Sequence, residues 1–258
     1  MAIKDETVAR ESDAGAGPGF VIEPFTPNCG AVYESRAHVV MGVSPNNSYF
    51  NVARLTGLLG WLSATFARVD VVVPDSALVH TYLALGYVPE RAAKKARGET
   101  AVLRNRVLRA WKAAGGPGPG HAVHLMSTLA ASPVYQRLLE RVRRVLATDD
   151  RLHTACLKMS RQVLAGRLGH AEPTPEQQEL ATDYLAAELP FFLDAAAIFD
   201  VPSSLCFYHR PVLLADLIFS GRTPLRPSPR QGYALIYPTS PPGAAGSGRA
   251  AITNGEAR

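Results

Sequence analysis

Three short polar groupings in this chain carry residue types able to do chemistry. Ser44 sits in Gly42-Val-Ser-Pro-Asn-Asn47-Ser-Tyr-Phe50, where a β-branched apolar run gives way to a Pro- and Asn-rich turn. Serine there can be a nucleophile, an anion contact or a turn residue. Tyr184 and Glu188 are four residues apart in Tyr-Leu-Ala-Ala-Glu-Leu-Pro190, so a helix puts both on one face. A phenol and a carboxylate so placed can orient and deprotonate an amine; alone, they also suit an ordinary amphipathic helix. Tyr208 and His209 end the apolar run Ser203-Ser-Leu-Cys-Phe.

Other chemistry is poorly supported. Gly115-Gly-Pro-Gly-Pro-Gly120 lacks the Lys-Ser/Thr ending of a phosphate-cradling loop. The three cysteines, Cys29, Cys156 and Cys206, are widely spaced, and His121 and His124 lack a neighbouring third ligand type, so no metal and no cofactor is expected. Gly42-Val-Ser-Pro-Asn46 lacks the last glycine of a Gly-x-Ser-x-Gly elbow. Lys158-Met-Ser-Arg161 is superficially similar to a class I aminoacyl-tRNA synthetase signature, but it falls mid-helix without a His-x-Gly-His partner and is read as coincidence.

The elements that must hold these residues follow from periodicity. His38–Val43 and Asp70–Pro74 read as strands, the second buried on both faces. Helices are expected over 52–68, 76–85, 133–147, 152–168 and 212–220. Further strands are expected over 121–126, 203–208 and 233–237. A helix opens at Pro173-Thr-Pro175 and runs to about Phe199, and Pro190 is expected to kink it. The alternation implies an α/β fold: one Rossmann-like domain over 31–238, a mostly parallel five-stranded sheet with helices on both faces. Residues 1–30 and 239–258 read as a disordered leader and tail. No run reaches the roughly 18 apolar residues that span a bilayer. With no secretory signal at the start, the expectation is a cytoplasmic protein away from membranes, and a monomer.

The formal charge is +5. Its distribution matters more. Arg91, Lys94, Lys95, Arg97, Arg104, Arg106, Arg109 and Lys112 crowd the helical stretch 89–113, with Gly98 as a candidate break and only Glu90 and Glu99 between them. A second concentration lies between Arg137 and Arg151. A one-signed stripe favours a polyanion.

Taken in order, the three polar groupings resemble the cyclodipeptide synthases, and Asn47 with Tyr208 and His209 matches their Asn-Tyr-His subgroup. That family is similar in fold to the catalytic domains of class I tyrosyl- and tryptophanyl-tRNA synthetases. The resemblance implies condensation of two aminoacyl-tRNAs into a 2,5-diketopiperazine by ping-pong acyl transfer, without ATP because the esters arrive activated. Ser44 is then the nucleophile, with proton transfer helped by the tRNA's terminal ribose. Tyr184 and Glu188 hold the amino group, Tyr208 relays a proton, Asn47 and His209 support the backbone and Tyr208, and Tyr135 orders the carboxylate. Val40, Gly42, Met126 and Phe191 line a first, hydrophobic side-chain pocket; Val72, Gly166 and Arg167 lie near a second. The basic helix holds the first tRNA at its phosphates. Two other readings stay open: a serine esterase using Ser44 and His209, and a non-catalytic tRNA-binding module.

Overall fold

The computed structural model describes residues 19–169 and 171–239. Six strands form one sheet: β1 (Phe20–Pro24), β2 (His38–Gly42), β3 (Arg68–Val73), β4 (Ala122–Leu125), β5 (Ser204–Tyr208) and β6 (Gln231–Pro238). Their order is β1-β6-β5-β2-β3-β4. All neighbours are parallel except β1, which runs antiparallel to β6. The helices are α1 (Pro27–Glu34), α2 (Val52–Thr65), α3 (Leu78–Ala84), α4 (Pro89–Ala113), α5 (Met126–Ala130), α6 (Pro133–Leu146), α7 (Asp150–Ala165), α8 (Pro175–Ile198) and α9 (Leu213–Phe219).

The parallel sheet is covered on both sides, and strand alternation assigns the sides. Val39, Met41, Val69, Val71, Leu205 and Phe207 pack in one core with residues of α2 and α4. Val40, Val72, Cys206 and Met126 pack in the other, with residues of α6, α7, α8 and α9.

Three expectations need correction. The sheet has six strands, not five, because part of the expected leader is structured: Phe20–Pro24 is β1, and α1 follows it. Its signal is faint, since a five-residue edge strand with Phe20 and Ile22 inward makes too short a pattern. The remainder of the leader, 1–18, and the tail from 240 lie outside the described residues. Second, α4 runs unbroken through Gly98. That glycine is exposed, so it costs only helix propensity, about 1 kcal/mol, while Ala92, Ala96, Leu103, Val107 and Trp111 bury the opposite face. Third, α8 keeps helical backbone angles through Pro190 and breaks at Asp194 (φ −162°, ψ 65°). The backbone groups around the break have partners. The Ala195 amide donates to the Gln231 side chain at 2.7 Å, and the Asp194 carboxylate accepts from Ala197 N at 3.0 Å. The Leu193 carbonyl accepts from Ser228 N at 2.7 Å.

At the edge where the parallel strands begin, the sheet buries a charge. Asp70, fully buried, accepts from Arg68 Nε at 2.6 Å, His124 Nε2 at 2.8 Å and His38 Nε2 at 3.1 Å. His38 Nδ1 in turn meets Ser204 Oγ at 2.8 Å. The group thus joins β5, β2, β3 and β4. Burial alone pushes the Asp70 carboxyl up, but the hydrogen bonds from the two histidines and the Arg68 charge outweigh it and hold it well below the usual range. Burial pulls His38 down, so it stays neutral. A neutral His38 donating to Asp70 leaves Nδ1 to accept from Ser204.

Asp70→Asn should therefore lower unfolding stability by about 3–5 kcal/mol in urea titration, because it strands Arg68 and the histidines. Both shifts are downward, so the unfolded chain binds more protons on acidification. The wild type should lose stability as pH falls below the ordinary histidine range and then the ordinary carboxylate range, and the variant less steeply. A flat wild-type profile between pH 7 and 4 would remove this assignment.

Candidate active site

The opposite edge, where the parallel strands end, carries the polar groupings. β2 stops at Gly42, Val43 N still bonds to Val72 O at 3.2 Å, and the chain then leaves the sheet at Ser44. Asn46 adopts φ 55°, a left-handed turn conformation that asparagine tolerates well. Asn47 works twice. Its Oδ1 accepts from Tyr49 N at 3.0 Å, capping a short 3₁₀ turn (Ser48–Phe50), and its Nδ2 donates to the Tyr208 hydroxyl at 3.1 Å. That hydroxyl lies 3.1 Å from Ser44 Oγ. Tyr208 is the last residue of β5, directly beside β2 in the sheet.

His209 does not touch Ser44. Its ring stacks on Tyr49 with centroids 3.9 Å apart and planes 9° apart, and lies 4.3 Å from the Tyr208 ring. Burial, and then the Arg210 charge, bring it down to about 4, so the ring is neutral at pH 7. Its Nδ1 is buried without a hydrogen-bond partner. The Ser44–His209 pair that an esterase needs is thus absent; a tyrosine stands in its place.

α8 provides the facing wall. Tyr184 and Glu188, one turn apart, interact through hydroxyl and carboxyl and border the same cavity as Ser44. Both are half-buried where they line the cavity. Burial pushes Glu188 up to about 7, against the Tyr184 hydrogen bond that lowers it. Burial also holds the Tyr184 phenol well above its usual value, reinforced by the Glu188 charge. Tyr135 is placed differently from expectation. Its hydroxyl donates to the Ala187 carbonyl at 2.7 Å, not to the carboxylate, so it ties down the backbone beside Glu188. Its ring packs 5.7 Å from that of Phe191.

The cavity measures about 700 Å³. Val40, Gly42, Met126 and Phe191 all line it, as do Val72, Gly166 and Arg167. Alternation explains the strand members: Val40, Gly42 and Val72 point to the α8 side. A side chain at position 42 would project into open space. Arg167 also pairs with Glu99 at 3.3 Å and lies over the Tyr82 ring. Sequence reasoning missed Lys158, Gln162 and Arg210. The set-aside Lys158-Met-Ser-Arg161 stretch does lie in helix α7, yet Lys158 and Met159 border the cavity, while Arg161 pairs outside with Glu172 at 2.9 Å. Only the packing of α7 on α8 reveals this. Among the described residues no cluster suits a metal ion, and no helix is long and apolar enough to cross a membrane.

On α4, Arg91, Lys94, Lys95, Arg97, Arg104, Arg109 and Lys112 are exposed. Arg106 departs from the stripe: half-buried, it donates to the Phe50 carbonyl at 3.2 Å, bracing the turn behind Ser44. Glu99 leaves the stripe too, turned inward to Arg167 and to the Tyr82 hydroxyl at 2.6 Å. The exposed face is more uniformly positive than the sequence implies.

The family model for cyclodipeptide synthases matches residues 20–238. This chain belongs to that family. It is 34% identical to the cyclo(L-tyrosyl-L-tyrosyl) synthase of Mycobacterium tuberculosis over 234 residues, 90% of this chain and 81% of the relative. It is also 34% identical to the cyclo(L-leucyl-L-leucyl) synthase of Bacillus subtilis, over 84% of this chain and 89% of that one. A solved M. tuberculosis member, described as showing the relation of such enzymes to type I tRNA synthetases, superposes with TM-score 0.74 at 33% identity, covering 90% of this chain and 99% of its own. A member from Bacillus thermoamylovorans gives 0.78 at 27% identity, covering 86% and 97%. Formation of cyclic dipeptides is the activity that membership assigns, and the Rossmann-like fold is the family's.

Because Glu188 titrates near pH 7, product formation should rise with pH through that region, and Glu188→Gln should flatten the profile. Its raised value means the folded protein holds this proton more tightly than the unfolded chain. Ionising it therefore costs stability as pH rises from the ordinary carboxylate range through 7. Glu188→Gln should be the more thermostable form at pH 8, checked by thermal melts at pH 5 and 8.

Proposed function

We propose that this enzyme takes both aminoacyl groups from aminoacyl-tRNAs and joins them through an ester on Ser44. Ser44 Oγ attacks the carbonyl carbon of the first aminoacyl ester. The bond to the tRNA ribose breaks, and the serine proton goes to the departing ribose oxygen. The amine of the resulting aminoacyl-serine lies against Tyr184 and Glu188. It attacks the ester carbonyl of a second aminoacyl-tRNA, which makes the first amide and releases the second tRNA. Glu188, with an affinity for protons near neutrality, suits the role of acceptor from that amine, and it returns the proton to the departing ribose oxygen of the second tRNA. The new terminal amine then attacks the Ser44 ester, closing the ring and freeing the serine. Tyr208, hydrogen-bonded to Ser44 and held by Asn47, relays the proton back to Ser44 Oγ.

The observation that carries this reading is the meeting of two couples in one cavity: the Ser44–Tyr208 hydroxyl pair on the sheet edge and Tyr184–Glu188 on α8. His209, stacked on Tyr49 and tilted against Tyr208, buttresses the Tyr208 ring, and Tyr135 acts on Glu188 through the α8 backbone. The apolar wall of Val40, Met126 and Phe191 suits a hydrophobic first residue, in keeping with relatives named for tyrosyl and leucyl products. The exposed α4 cations suit the phosphates of the first tRNA. Since charged tRNA is a cytoplasmic substrate, we place the reaction there, and we take the working unit to be a monomer.

Incubation with charged tRNA should leave an aminoacyl mass on Ser44, seen in intact-protein and peptide spectra. Ser44→Ala should abolish both the adduct and the diketopiperazine while its circular dichroism matches wild type. Tyr208→Phe should slow product release by about 100-fold, the range for loss of a positioned proton-transfer group. Full product formation by Ser44→Ala would end the scheme. Hydrolysis of simple esters without tRNA would favour an esterase instead.

A further inference from the structure

The α4 stripe is not the only basic surface. Lys158, on α7, and Arg210, in the loop from β5 to α9, both line the cavity, and both are exposed. α7 packs against α9, the helix that follows Arg210, so both cations border the cavity on its α7–α9 side. Two turns before Lys158, on the same side of α7 and about 10 Å away along the axis, is exposed Arg151. Across the turn joining α6 to α7 come exposed Arg143 and Arg144. Among the described residues, none of these five makes an ion pair. Of the nearby acids, Asp149 is occupied in accepting from Leu152 N at 2.7 Å, and Glu140 and Asp150 remain exposed. α4 packs on α2 and α3, and α7 on α8 and α9; the two come together past the end of α7, where Arg167 pairs with Glu99 of α4 at 3.3 Å, while the track lies on α7 at Lys158 and before it.

We propose that the track from Arg210 and Lys158 through Arg151 to Arg143 and Arg144 binds the sugar–phosphate chain of the second aminoacyl-tRNA. This rests on the two-step reaction proposed above. Once Ser44 carries the first aminoacyl group, its side chain fills the wall of Val40, Met126 and Phe191, and its amine is held at Tyr184–Glu188. The space left lies along α7, beside Met159, Gln162 and Gly166. An incoming aminoacyl group that reacts there is still esterified to RNA, so the RNA leaves over the α7–α9 rim. The cations on that rim, unpaired among the described residues, meet its phosphates.

The two half-reactions separate the surfaces. Excess enzyme is first acylated with limiting charged tRNA, read as the Ser44 adduct. Fresh charged tRNA is then added and cyclic dipeptide release is timed. In Arg151→Gln/Lys158→Gln/Arg210→Gln, release should slow by roughly tenfold or more, with a shallower dependence on salt, because three phosphate contacts are lost. Acylation should fall far less. Lys94→Gln/Lys95→Gln should show the reverse bias. Equal slowing of both steps by the triple variant, or slowing of neither, overturns the track. Failure of the wild type to take an aminoacyl group from tRNA overturns the reaction itself, and the track with it.

Discussion

The site depends on β2 and β5 being hydrogen-bonded neighbours in a parallel sheet. Parallel pairing brings the same end of both strands to one edge, so Ser44, just past β2, and Tyr208, at the end of β5, meet at 3.1 Å although 164 positions separate them. Right-handed crossovers place the intervening helices on the faces rather than over that edge. The edge stays open, and only there can a polar cavity reach the backbone termini of several strands. Strand alternation does the rest. Val40, Gly42, Val72 and Cys206 face α8, and odd-numbered neighbours such as Val39 and Val71 seal the other core.

The same sheet face has a different character at its two ends. Where the strands begin, Asp70 is buried with three donors, and its charge is fully matched. Where they end, polarity is left partly unmatched. Glu188 is half-buried with one phenol as its partner, and desolvation pushes its proton affinity up to about 7. The contrast is physical. A carboxylate with several donors in low dielectric is held ionised, whereas one with a single neutral donor is poised between states. The first arrangement suits stability, the second suits moving protons, and the parallel register keeps them at opposite edges.

Aromatic packing supports the Ser44–Tyr208 edge from behind. The Tyr49–His209 stack, braced by Phe50, backs Tyr208, and Arg106 reaches from α4 to the Phe50 carbonyl. On the other wall Tyr135 anchors the α8 backbone next to Glu188. α8 also keeps helical backbone angles where Tyr184 and Glu188 sit, because its break falls at Asp194, beyond Phe191. Positional precision at a site of this kind comes from such supporting contacts as much as from the reactive groups.

The sequence by itself determined the α/β order, the strands β2 to β6, the long helices and the three polar groupings, because each is written in local composition: β-branched runs, helical periodicity and turn residues. Motif order also singled out seven candidate reactive or supporting residues, and the family resemblance named seven residues that do line the cavity. Only the tertiary structure decided that Phe20–Pro24 adds an edge strand, that Asp194 and not Pro190 interrupts α8, that Glu99 and Arg106 turn away from the α4 surface, that Tyr135 holds a backbone carbonyl, and that Lys158 and Arg210 share a cavity rim. It also decided which group faces Ser44. Each of these rests on contacts between segments distant in the chain. Burial, partners and proton affinity are set by such contacts, which local composition does not encode.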